Sequence, residues 1–147
     1  MLRFFTLILL PFAGQLLAAV VVSDATVRLL PPGVPNTAAY FSVENQSDKD
    51  VVLVAANADF VNKAEIHNHV MLDNMMSMQQ QSQVVIAAGQ TVHFEPSGLH
   101  IMLFGLKQVL KEGQSLPLSL QTKSGELIDF TATVTRPKAK VNTHAHH

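Results

Sequence analysis

The side chains richest in coordination chemistry are methionine and histidine, and they are not scattered. Apart from Met1, the methionines are Met71, Met75, Met76, Met78 and Met102, and four of them fall between positions 71 and 78. His67, His69, His93 and His100 occupy the same region, while His144, His146 and His147 end the chain. Side chains alternate between the two faces of a strand. In Ile66-His67-Asn68-His69-Val70-Met71, positions 67, 69 and 71 would therefore share one face, with Ile66 and Val70 turned to a core. In His100-Ile101-Met102-Leu103, His100 and Met102 would share a face opposite Ile101 and Leu103. The Met75–Met78 cluster follows Asp73-Asn74 and is expected on a loop or hairpin near both strands. Thioether sulfur is a soft, neutral donor and imidazole is borderline. Two of each, without thiolate or carboxylate, suit Cu(I) better than Zn²⁺, Mg²⁺ or Ca²⁺. Such a set releases its ion by ligand exchange, which suits a carrier. The plainer alternative is methionine as gap filler and histidine as ordinary strand polarity.

The elements that must position these residues read as strands. Short apolar runs are punctuated by turn chemistry: Pro31-Pro32-Gly33, Asn45-Gln46-Ser47-Asp48, Asp73-Asn74, Ala88-Gly89-Gln90, Pro96-Ser97-Gly98 and Lys123-Ser124-Gly125-Glu126. About eight or nine strands at this spacing predict a single all-β domain, a Greek-key sandwich or barrel. Gly105 to Gly113 reads as a loop between strands. The 147 residues are 48% hydrophobic and 14% charged, with a formal net charge of -1. That balance fits one globular domain and offers no electrostatic footprint for nucleic acid. With no cysteine, the chain has no disulfide, thiolate nucleophile, zinc finger, iron–sulfur cluster or blue-copper site.

Residues 1–19 read as an export signal: Arg3, an apolar stretch from Phe4, and a small-residue close at Ala18-Ala19. Attachment of a lipid there is excluded, because that route needs a cysteine. The expected product is a domain over residues 20–136 with a polar tail over 137–147, free of membrane insertion and monomeric. The imidazoles of the tail are a candidate capture arm for Cu(II) or Zn²⁺. A structural role is expected for His93, and His69 could support a ligand from behind, serve as an alternative ligand or be an exposed bystander, the last being the favoured reading.

The spacing His67-x10-Met78-x21-His100-x-Met102 resembles the signature of the periplasmic copper chaperones called PCuAC. The flanks are similar as well: Val22-Ser23-Asp24-Ala25 with Arg28, Pro31-Pro32-Gly33, Ala38-Ala39-Tyr40, Asn45, Ala64-Glu65-Ile66-His67, and Gly98 to Leu103 with Gly105-Leu106-Lys107. The likeness covers residues 21–136. It implies a cupredoxin-like β-sandwich that binds one Cu(I) through His67, Met78, His100 and Met102. Met71 and Met76 would be reserve or exchange ligands. It also implies a periplasmic location and delivery of copper to an acceptor, either the CuA centre of cytochrome c oxidase or a Sco-like thiol protein.

An enzyme is not expected. No Ser/His/Asp pattern is recognisable, and Glu95, Glu112 and Asp129 lie in separate segments. The competing class is an exported, non-catalytic interaction module whose only metal site is the histidine tail.

Overall fold

The computed structural model describes residues 19–138. The expected signal segment and most of the tail lie outside them. Ten strands follow in order: β1 (Val20–Arg28), β2 (Thr37–Asn45), β3 (Val51–Asn57), β4 (Val61–Leu72), β5 (Met75–Gln80), β6 (Val84–Ile86), β7 (Thr91–Phe94), β8 (His100–Leu106), β9 (Ser115–Thr122) and β10 (Leu127–Thr135). The all-β expectation holds, with ten strands in place of eight or nine. The segment after β8 is a loop, as the sequence suggests. The Met75–Gln80 stretch is the second strand of a hairpin, one of the two expected alternatives, and every residue from His67 to Leu72 finds a partner in it.

The strands form one hydrogen-bonded path, β5-β4-β8-β2-β1-β10-β9-β3-β6, with β7 also paired to β2. β3 and β4 are far apart in that path yet lie against each other. The sheet therefore doubles over and encloses one core. Strand alternation supplies the core residues: Val27, Val43, Leu53, Ile66, Ile86, Ile101, Leu103, Leu120 and Val134 are fully buried. Phe41 stacks on Phe94 with ring centroids 4.4 Å apart.

Two local devices position the candidate ligands. The first is the β4–β5 hairpin, closed by Asp73 and Asn74, both with positive φ (48° and 62°). This is the backbone a two-residue primed turn demands, and Asn and Asp tolerate it. The second is a loop-out between β7 and β8. Both strands pair with β2, Phe94 opposite Phe41 and Leu103 opposite Thr37. Residues 95–99 leave the ladder between them and close on themselves through Glu95 N–H to Leu99 O (2.8 Å) and Gly98 N–H to Glu95 O (3.0 Å). That loop presents the Gly98 carbonyl at the start of β8.

Candidate metal centre

Residues directly opposed in an antiparallel ladder share a face. Between β4 and β8, His67 stands opposite His100, Glu65 opposite Met102 and Lys63 opposite Phe104. Between β4 and β5, His69 stands opposite Met78 and Met71 opposite Met76. One outward face thus carries His67, His69, Met71, Met76, Met78, His100 and Met102. The inward face buries Ile66, Ile101 and Leu103. The alternation read from the sequence is the alternation the strands have.

The two imidazoles at the centre have defined tautomers. His100 is only 3% exposed, and its Nδ1 lies 3.0 Å from the Gly98 carbonyl oxygen. A carbonyl only accepts, so Nδ1–H donates and Nε2 keeps its lone pair. Burial lowers the pKa of His100, and the nearby imidazoles add to that, against a smaller opposing effect of the Gly98 carbonyl. The ring therefore stays neutral and able to bind a metal below the usual histidine range. His67 Nε2 lies 2.8 Å from Glu65 Oε2. Hydrogen bonding from His67, then from Lys63 at 3.0 Å, holds the Glu65 carboxyl below its ordinary pKa. The carboxylate is ionised and accepts from Nε2–H, so in the neutral ring Nδ1 is the nitrogen that keeps its lone pair. That Nδ1 is buried without a hydrogen-bond partner. Buried polar atoms are rarely left unmatched, and an orphaned acceptor calls for a ligand. A histidine fixed at one nitrogen by a carboxylate or carbonyl, with the other free, is the arrangement metal-ligating histidines use.

The spacing fits one ion. A metal–imidazole bond of about 2 Å puts the ion roughly 3 Å from the ring centre, so two imidazoles on one ion have centroids about 5–6 Å apart. The His67–His100 centroids are 6.0 Å apart and the His69–His100 centroids 5.1 Å. Among the described residues, no three His, Asp or Glu side chains are grouped to hold a metal. The thioethers on the same face are the further donors available to such an ion.

Of the four residues singled out by the sequence, His67, His100 and Met102 lie on the adjoining strands β4 and β8. Met102 is half-buried between Ala38 and Glu65. Met78 sits on β5, beyond β4, and is 46% exposed. His69 is less exposed than the favoured reading expected. It is half-buried beside the His100 ring, because its backbone N–H reaches the Gly98 carbonyl (3.4 Å) and draws that end of β4 toward the loop-out. His93 is exposed, and its Nδ1 is engaged by Ser42 Oγ at 2.8 Å. The orienting role of Glu65 was missed, although an E-x-H pair on a strand places both side chains on one face. A surface groove of about 780 Å³ lies between residues 29–35 and 106–110, at the end of β8 remote from His100.

Comparison with known proteins follows this geometry. The pattern of the LpqE-like family matches residues 20–134. A protein of Leifsonia xyli subsp. xyli (strain CTCB07), named "Putative lipoprotein Lxx21020", is 34% identical over 113 residues, which is 76% of this chain and 67% of that protein. The solution structure of CuI-DR1885 from Deinococcus radiodurans is 31% identical, with a TM-score of 0.66, covering 83% of this chain and 81% of that one. The apo PCuAC domain from PmoF1 superimposes with a TM-score of 0.69 at 21% identity, covering 82% of this chain and 96% of that one.

Proposed function

The chain belongs to the LpqE-like family and has the cupredoxin-like fold of PCuAC domains, and from that premise we propose that it is an exported copper chaperone. It binds one Cu(I) through His67, His100, Met102 and Met78 and passes the ion to an acceptor. The observation that carries this reading is the buried, unpartnered Nδ1 of His67 on the face it shares with His100 and the thioethers. The relative DR1885, named with Cu(I) in its solution structure, supports the choice of ion. Neutral N and S donors favour a monovalent soft cation.

The same ligand set accounts for release. Neither methionine nor neutral imidazole brings negative charge, so a thiolate acceptor outcompetes them for Cu(I). A Sco-like thiol protein or the CuA centre of cytochrome c oxidase has that chemistry. Export is supported by the signal-like residues 1–19 and by the lipoprotein name of the Leifsonia relative. The periplasm is the compartment this reading assigns. The chemistry is binding and exchange, with no turnover. In the tail, His144, His146 and His147 add a Cu(II)-recruiting arm.

The test is an anaerobic Cu(I) titration against a chromogenic chelator, run on the wild type, His67→Ala, His100→Ala and Met102→Ala. One tight equivalent lost in the three variants is the expected result. Failure of the wild type to compete with the chelator would refute the chaperone reading and leave an interaction module.

A further inference from the structure

The β4–β5 hairpin extends past the body of the sheet. β8 pairs with β4 only from Val61 to His67, whereas β5 follows β4 to Leu72. The end of the hairpin is therefore a two-stranded ribbon, and it is rich in methionine. Met71, Met75, Met76 and Met78 are 62%, 72%, 54% and 46% exposed. Large apolar side chains at such exposure call for a reason when they cluster.

Register separates these methionines into two faces. A two-residue turn closes on a hydrogen-bonded pair, here Leu72 and Met75. By alternation, Met71/Met76 and His69/Met78 are non-hydrogen-bonded pairs, the kind whose side chains come closest, with Cα atoms about 4.5 Å apart. Both pairs lie on the outward face that also holds the His67/His100 site. Met75 and Leu72 lie on the other face. The ribbon thus presents three thioethers and one imidazole as a two-by-two block continuous with the inner site, and Met78 stands between the two groups.

We propose that this block is a second, weaker Cu(I) site, formed by His69, Met71 and Met76, that receives the ion and hands it to the inner site through Met78. The inference rests on the copper reading of the inner site. A merely sticky ribbon for a protein partner would be served by leucine or phenylalanine on either face. What favours copper is that the thioethers of the outward face are aligned with an imidazole. No bond is made or broken except metal–ligand bonds, and copper stays Cu(I) throughout.

The test uses the full chain under anaerobic conditions, with Cu(I) alone as the probe. Chelator competition and the methionine methyl NMR resonances are followed together. Wild type should take two equivalents, the first shifting the Met102 methyl and the second shifting Met71 and Met76. The double variant Met71→Leu/Met76→Leu keeps side-chain size on an exposed surface and should lose the second equivalent while keeping the first. His67→Ala/His100→Ala should lose the tight equivalent and keep the weak one. A single equivalent in wild type overturns the inference and leaves the chaperone reading intact. A second equivalent that survives Met71→Leu/Met76→Leu also overturns it, and points to the histidine tail or another surface. A weak equivalent sensitive to Met71→Leu/Met76→Leu without any tight one would overturn the hand-over to an inner site, and the chaperone reading with it.

Discussion

Replacing Glu65 with alanine isolates what orientation of His67 contributes to copper binding. In the native protein Glu65 Oε2 holds His67 Nε2–H at 2.8 Å and leaves Nδ1 as the donor. Without that acceptor the ring has two tautomers and two flip states, and one of the four combinations is productive. The loss is about fourfold, or roughly 0.8 kcal/mol. The carboxylate charge would lie about 7 Å from an ion on Nδ1, which at an effective dielectric constant near 20 is worth roughly 2 kcal/mol. Together these give a loss of about 100-fold in affinity, at the upper end of what outer-shell partners of metal ligands contribute. Glu65→Gln keeps an acceptor for Nε2–H but loses the charge, so it should bind about fourfold more tightly than Glu65→Ala. Thermal stability should also fall modestly, because the ion pair with exposed Lys63 is worth about 0–1 kcal/mol and the His67 Nε2–H loses its acceptor, at about 1–3 kcal/mol. The assay is Cu(I) competition at fixed pH and salt, with His93→Ala as a control expected to match wild type. Glu65→Ala binding as tightly as wild type, or Glu65→Gln binding more weakly than Glu65→Ala, would refute the reasoning.

Acid should destabilise the metal-free protein. Burial lowers the His100 pKa below its ordinary 6.5, and the His67 and Lys63 contacts lower that of Glu65 below 4.5. Both groups favour the folded state above their unfolded values and lose that contribution as pH falls. Urea midpoints measured from pH 8 to 4 should decline below about pH 6.5; a rise between pH 7 and 5.5 would contradict this. Asn45 is fully buried and bonds the Lys49 and Ile86 carbonyls (2.7 and 2.9 Å) and the Ser47 N–H and hydroxyl. Asn45→Ala should cost about 2–4 kcal/mol in denaturant unfolding and leave copper stoichiometry unchanged. Gly105 has φ +69°, and an added Cβ would overlap the Asn62 side chain. Gly105→Ala should cost about 1–3 kcal/mol by the same measurement.

Period-two alternation was enough to put His67, His69 and Met71 on one side of their strand and His100 and Met102 on one side of theirs, because both segments are strands with one buried side. It was not enough to say which residues stand opposite each other. That depends on register, and register here is set by two features whose consequences are non-local. Asp73-Asn74 closes a tight turn, which brings Met78 opposite His69 and leaves Gln80 opposite His67. The loop-out at residues 95–99 read as an ordinary strand end, yet its Gly98 carbonyl fixes the His100 tautomer and also holds the His69 backbone. His69 was misjudged for that reason: nothing within a few residues of it announces the carbonyl that draws it inward.

The division of labour across this face follows from how each strand is supported. β8 lies between β2 and β4, and the buried residues Ile101 and Leu103 anchor it from behind. His100 and Met102 are therefore presented by a part of the sheet that cannot shift without disturbing the core. β5 is an edge strand paired only with β4, and every one of its residues but Ser77 is exposed. Moving it disturbs almost no buried apolar contact, and two-stranded ribbons are marginally stable without packing. A copper chaperone of the kind proposed would use both properties at once. Rigid imidazoles with fixed tautomers provide tight capture, since little ordering is required when the ion arrives. A thioether on a weakly supported edge provides release, since one ligand can leave and admit the acceptor's donor while the others still hold the ion. Under the proposed ligand set, the edge position of Met78 and the placement of the histidines in the body of the sheet would make ligand exchange at Met78 the easiest step for copper to take.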